Sequence, residues 1–168
     1  MPNVPSFIPI VSVAGVAMKA AGGALKKIKK RKQKKLKAKS PPKNMTNTQK
    51  GVFGEHVSDI HMHNQGHTKL NGPLTNIGDA PIGNGIDGVW AKKPPPGFII
   101  TETKFGSSKL GDTLDGKQMS DKWISNRLEK AVGEEQARKI EKAMAKGQVE
   151  KQLLHVDENG KLSEKILN

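Results

Sequence analysis

The sequence predicts an α/β fold: a small mixed central sheet flanked by helices, preceded by a disordered or loosely helical basic arm. Three observations carry that prediction. Charge is segregated, because residues 1–50 hold thirteen of the 29 Lys and Arg residues and no Asp or Glu, which leaves 16 basic against 16 acidic side chains from Gly51 onward. Hydrophobic periodicity then switches along the body, from three-and-four to two and back again. The resulting order of helix, strands, helix, helix and strand belongs to an α/β domain. A length of 168 residues suits one domain with a modest extension, and the composition divides it into an arm over residues 1–45 and a domain over residues 46–168.

The arm opens with an apolar stretch from Phe7 to Leu25, interrupted by Pro9, Gly15, Lys19 and the Gly22–Gly23 pair. Its lysines follow the apolar run rather than precede it, unlike a secretory signal peptide, and the run is too broken to span a bilayer. It reads as a loosely helical or disordered leader, with a membrane-active or transport-recognised segment as the alternative. Residues 26–39, KKIKKRKQKKLKAK, contain ten basic residues in fourteen. Such a run is self-repelling and attracts polyanions without regard to sequence, nucleic acid or an anionic membrane alike. A nuclear-localisation signal has similar composition. SPPKN then reads as a linker, since Pro41 and Pro42 stop a helix.

In the body, Val52, Phe53, His56, Val57 and Ile60 recur at helical spacing, predicting a helix over 47–62 with Thr46 or Asn47 as its cap. A glycine-rich stretch follows, with a short strand near Lys69 and Leu70. Strands are expected at 86–91 and 98–104, joined by KKPPPG as a hairpin-type connection. Met119, Trp123, Ile124, Leu128 and Val132 predict a helix over 116–132, and a second helix follows Gly133 and ends near Gly147. The C-terminal segment reads as two short strands around a turn at DENG.

Composition closes several routes. There is no cysteine, which excludes a disulfide framework, thiol catalysis and Cys-type zinc sites. There is no tyrosine and only 4% aromatic residues, which argues against a stacking platform for single strands. No Walker or dinucleotide pattern is present, so nothing suggests a nucleotide cofactor.

The chemistry concentrates in GIDGVW (85–90) and FIITETKFG (98–106). On the second strand, alternation places Phe98, Ile100, Glu102 and Lys104 on one face, taken as the core-facing one, and Ile99, Thr101, Thr103 and Phe105 on the other. A carboxylate and an ammonium in a core-facing row must be paired, metal-bound or at the open end of the sheet. A hairpin turning near 93–96 brings Asp87 alongside Glu102, where two carboxylates repel unless a cation lies between them. Hard oxygen ligands of this kind suit Mg²⁺ or Mn²⁺, which also bind phosphate oxygens. Lys104 is placed to orient a water or hold a phosphate as a point charge. The kit matches metal-assisted phosphodiester hydrolysis; the plainer reading is a surface Glu–Lys pair.

Gly-Ile-Asp-Gly, an exposed loop, three apolar residues and then Glu-x-Lys together resemble the PD-(D/E)xK nuclease superfamily, whose core is the restriction-endonuclease-like sheet flanked by helices. The resemblance covers residues 47–132 and departs at Ile86, where the pattern has Pro. It implies Asp87, Glu102 and Lys104 as the catalytic set. It also implies Glu55, in GVFGEH on the first helix, as a further metal-binding acid, and Gln118, in LDGKQMSDKW, as a supporting residue. The run ITETKFGSSKLGDTLDGKQMSDKWISNRLEKAVG is similar to nuclease toxin domains of bacterial polymorphic toxins. That likeness implies a bacterial DNase that is secreted or delivered into a target cell to act in its cytoplasm. It further implies a cognate immunity protein and a delivery partner met through the N-terminal segment.

Lys109, Lys117, Lys122 and Arg127 flank the expected site, the lysines as candidate nucleic-acid contacts. Gly85, Gly88, Gly106 and Gly111 are expected to shape turns. His56 with Asp59 or His63 has the spacing of a helical zinc pair, and His56 or His61 would otherwise touch phosphate or sit as polar helix residues. Two other functions compete with a DNase: an RNA- or tRNA-cleaving toxin with the same site, and a non-enzymatic module in which residues 8–39 bind membrane or nucleic acid.

Overall fold

The computed structural model describes residues 34–81, 83, 85–95 and 97–168; the apolar leader and the first part of the basic run lie outside the described residues. The architecture of the described residues is mixed α/β, with three helices and a five-stranded mixed sheet. Among the described residues, no helix is long and apolar enough to cross a membrane.

Helix α1 (Asn47–Asn64) starts at Thr46, where a reciprocal capping box ties Thr46 Oγ1 to the Gln49 N–H and Gln49 Oε1 to the Thr46 N–H at 3.2 and 2.9 Å. The sheet runs β1 (Thr68–Lys69), β2 (Gly88–Ala91), β3 (Phe98–Phe105), β6 (Val149–Val156) and β7 (Leu162–Leu167) in spatial order. The first three strands are antiparallel neighbours, β3 and β6 are parallel, and β7 returns antiparallel to β6. A parallel pair needs a long crossover. Here it is supplied by a small hairpin, β4 (Asp112–Thr113) and β5 (Gly116–Lys117), then α2 (Asp121–Val132) and α3 (Glu134–Met144).

Helices cover both faces of the sheet. Ile86, Val89 and Ile100 pack with Met119, Trp123, Ile124, Leu128, Ala137 and Ile140 beneath α2 and α3. On the opposite face Phe53 and Val57 of α1 meet Phe105 and Val156, and Met62 meets Trp90, Ile99 and Leu154. The expectation of a single core-facing row on β3 is therefore corrected. Ile99, Thr101 and Phe105 are as buried as Ile100 and Glu102, because α1 covers the second face.

The helix expected over 116–132 begins later, at Asp121. Met119 has φ 70°, a left-handed conformation no helix can run through, and Ser120 caps the first turn by accepting from the Trp123 N–H at 3.3 Å. The C-terminal strands are eight and six residues long, longer than the sequence suggests. Residues 34–45, assigned to arm and linker, lie against α1. Asn64 receives the Leu36 N–H and donates to the Leu36 carbonyl, both at 2.8 Å, and Met45 packs on the Phe53 cluster. That cover explains why α1 is buried beyond its sheet-facing side.

Candidate active site

The site forms where β2 stops and β3 continues. Gly88 pairs with Thr101, and two more rungs would set Ile86 against Thr103. Instead the chain leaves the ladder, and the Thr103 N–H donates to Asp87 Oδ2 at 2.7 Å, so a carboxylate takes the place of a strand carbonyl. Asn71 holds the departing segment. Its amide nitrogen donates to the Ile86 and Asp87 carbonyls at 3.1 and 3.2 Å, and its oxygen accepts from the Val89 N–H at 2.8 Å.

Gly88 is required by close approach rather than by a turn, which corrects the turn-forming role expected for it. A Cβ there would lie 2.2 Å from Thr101 Oγ1 and 2.4 Å from Trp90 Nε1, two atoms joined by a hydrogen bond of 3.1 Å. On α1, Gly54 performs a similar service. A Cβ there would stand 3.2 Å from the Thr103 methyl, so its absence lets the helix sit close to β3 and brings the neighbouring Glu55 to the same place.

All five residues expected to be catalytic line one cleft of about 670 Å³: Glu55, Asp87, Glu102, Lys104 and Gln118. Lys104 donates to Glu102 Oε1 at 2.9 Å, and Gln118 donates to the same oxygen at 3.1 Å while accepting from the Gly111 N–H at 2.8 Å. Glu102 Oε2 and Glu55 Oε2 are buried without a hydrogen-bond partner. Such bare carboxylate oxygens are costly.

The electrostatics agree. Burial holds the Asp87 carboxyl well above the usual carboxylate range, and Glu102 and Glu55 add to the effect. Burial also raises Glu102, opposed by Lys104. Glu55 is pushed from 4.5 to about 7, chiefly by desolvation, with Lys69 opposing and Asp59 and Glu102 reinforcing. Three carboxyls in one cleft thus resist ionising together, the condition a divalent cation relieves. Among the described residues no three His, Asp or Glu side chains form a ready-made metal cage. Mg²⁺ does not require one, since it keeps several waters and is held by one or two carboxylates plus substrate phosphate. The hard oxygen donors of Asp87, Glu102 and Glu55, two of them orphaned, fit such an ion.

The β4–β5 hairpin forms the opposite wall of the cleft, contributing Asp112, Thr113, Leu114 and Asp115. Asp115 anchors it to α2 by accepting from Arg127 at 2.7 Å and Asn126 at 3.1 Å, and the Arg127 guanidinium lies 4.5 Å from the Trp123 ring centre. The hairpin escapes a reading by periodicity. Its available signal is the Asp-Gly pair at 115–116.

Other expected residues lie elsewhere. Lys109 and Lys117 line a separate groove, and Lys122 is exposed on α2, so none of the three lines the acid cleft. The zinc reading is corrected: His56 Nδ1 bonds the Thr75 carbonyl at 2.8 Å, and Asp59 is committed to a buried ion pair with Lys69 at 2.5 Å and to the Thr75 N–H. His61 pairs with Glu164 rather than reaching the cleft.

Family models, curated proteins and solved structures were each compared with this chain, and none matches.

Proposed function

We propose that this protein is a metal-dependent nuclease that hydrolyses DNA phosphodiester bonds, built on a restriction-endonuclease-like core of the PD-(D/E)xK type. The observation that carries the reading is the convergence of Asp87, Glu102, Glu55 and Lys104 in one cleft, with two buried carboxylate oxygens left bare. A sheet covered by helices on both faces supports the core assignment.

In this reading Asp87 and Glu102, with Glu55, would hold Mg²⁺ or Mn²⁺, which would supply positive charge against the phosphate and make water a better nucleophile. The Thr103 N–H fixes the Asp87 carboxylate, and Gln118 fixes Glu102 against the 111 backbone, so neither ligand has to reorganise when substrate arrives. The Lys104 ammonium, held on Glu102, orients the attacking water and balances charge building on the phosphate. Water adds to phosphorus and gives up a proton to solvent, the bond from phosphorus to the leaving sugar oxygen breaks, and that oxygen takes up a proton from solvent in return. The likeness to polymorphic toxin domains and the basic run of residues 26–39 support a role as an antibacterial effector. It would be delivered to a target cytoplasm and neutralised by an immunity protein.

Supercoiled plasmid incubated with the full chain should be nicked in Mg²⁺ and untouched in excess EDTA. Asp87→Asn and Glu102→Gln should each lower the rate at least ~100-fold, in line with loss of a group that stabilises transition-state charge. Full activity of either variant, or cleavage in EDTA, refutes the reading. Parallel digestion of total tRNA separates a DNase from an RNase.

A further inference from the structure

A second basic feature lies on the sheet face that bears Glu102 and Lys104. Register sets Glu102 opposite Leu153 and Leu153 opposite Lys165; Lys104 faces His155, and His155 faces Ser163. Side chains opposite one another share a face, so the catalytic row continues across β6 onto β7. With strands spaced about 4.8 Å apart, Lys165 stands roughly 10 Å from the catalytic row, about three nucleotide rises of a duplex.

The turn after β3 folds over this extension and encloses a groove of about 660 Å³, lined among others by Lys109, Lys117 and Lys165. The turn is fixed by the Gly106 N–H on the Val156 carbonyl at 2.9 Å and by the contact of His155 with the Gly106 carbonyl. A neighbouring depression of about 350 Å³ shares Lys117 and Lys165 with the groove and also contains Gln118, which borders the acid cleft. The two sites therefore meet at Gln118.

Charge identifies the occupant. Lys109, Lys117 and Lys165 are exposed and come from three separate chain segments, and among the described residues no ion pair holds any of them, unlike Lys69, Lys92, Lys104 and Lys151. Of the nearby acids, Glu164 lines the groove, but its carboxylate accepts from His61 and Gln65, and Asp121 pairs with Lys151. Ammoniums gathered this way suit a chain of phosphates, which needs point charges at intervals rather than directional forks.

We propose that this groove holds the phosphate backbone of the polynucleotide beyond the cut bond, with Lys109, Lys117 and Lys165 as its contacts. The proposal rests on the nuclease reading and adds the path by which substrate leaves the cleft. Binding of a labelled 20-bp duplex is measured against NaCl concentration on the full chain carrying Glu102→Gln, so that substrate survives. Replacing Lys109, Lys117 and Lys165 with Ala should reduce the slope of log affinity against log salt by about 2 to 3, at roughly 0.9 per lost phosphate contact. A control triple, Lys130, Lys142 and Lys146 to Ala, removes the same charge from exposed positions on α2, on α3 and just beyond α3, and should leave the slope within about 0.5. Unchanged thermal unfolding of both triples verifies folding. Equal slopes for the two triples overturn the proposal even if the wild-type chain cuts DNA. A groove-specific slope change without Mg²⁺-dependent cleavage upholds the groove and overturns the nuclease reading. Because the protein has no cysteine, Lys165→Cys offers a unique cross-linking handle. With a duplex carrying a thiol tether as a mixed disulfide, the introduced thiolate should displace the small thiol and form a protein–DNA disulfide in the Glu102→Gln background, and Lys146→Cys should not.

Discussion

Replacing Glu55 with Gln should stabilise the metal-free protein above neutral pH and leave it almost unchanged in acid. Glu55 is half-buried beside Asp87 and Glu102, and its carboxyl is raised from 4.5 to about 7, first by desolvation. A raised acid binds its proton more tightly in the folded than in the unfolded chain. Its cost to folding is therefore absent below about pH 4.5, grows as pH rises, and is complete above about pH 7. At 1.36 kcal/mol per pH unit the displacement corresponds to roughly 3 kcal/mol, and solvent screening of a partly exposed group reduces that to about 1–2 kcal/mol. For a chain of 168 residues, Glu55→Gln should then raise Tm by about 3–6 °C at pH 8 in EDTA, and by less than about 1 °C at pH 4.5. Thermal unfolding followed by circular dichroism at the two pH values measures it. Adding Mg²⁺ at pH 8 should favour the wild type, because an ion that binds only the folded state stabilises in proportion to its affinity. A variant equally destabilised at both pH values would refute the electrostatic argument and make Glu55 a packing residue.

Three further substitutions probe the scaffold around the site. Gly88→Ala should cost about 1–3 kcal/mol in chemical denaturation and weaken any cleavage, because its methyl group has to displace Thr101 and Trp90 next to Asp87. Asp59→Asn should destabilise by about 3–5 kcal/mol, since it leaves the Lys69 ammonium buried without its partner. Combining Lys69→Met with Asp59→Asn removes both charges and should recover part of that loss; no recovery would show that packing rather than orphaned charge sets the cost. Asp115→Ala should leave stability nearly unchanged yet lower cleavage, because it unties the β4–β5 wall from Arg127 without opening the core. Unaltered kcat/KM would remove that wall from the working site.

Much of this arrangement was legible because it follows from periodicity. The apolar run from Phe98 marks β3 even though both its faces are buried, Trp123, Ile124 and Leu128 return at helical spacing, and the hairpin between β2 and β3 follows from its prolines. The approach of Asp87 to Glu102 was legible in part, since the register ends at Gly88 opposite Thr101, one residue short of both; the bond that then holds Asp87 on the Thr103 N–H was not. What escaped has no periodic signature. Strands of two residues, β4 and β5, are too short to alternate, and Met119 looks helical by composition although its φ of 70° bars it. Asn71 acts by imitating backbone, and nothing in its neighbourhood announces that. Lys165 joins the face of Glu102 and Lys104 only through β6, a parallel partner that a reading of local pattern does not supply.

The junction at Thr103 also bears on how such a chain tolerates change in length. Asp87 reaches its N–H only because β2 pairs with β3 in one register. The connection between Lys92 and Gly97 lies outside that pairing, so residues added there leave the rungs intact. One residue inserted between Asp87 and Trp90 is different. It would turn the side chains before it to the opposite face and carry the acid away from Glu102. Variation in length is thus permitted on one side of β2 and forbidden on the other, a boundary only a few residues wide.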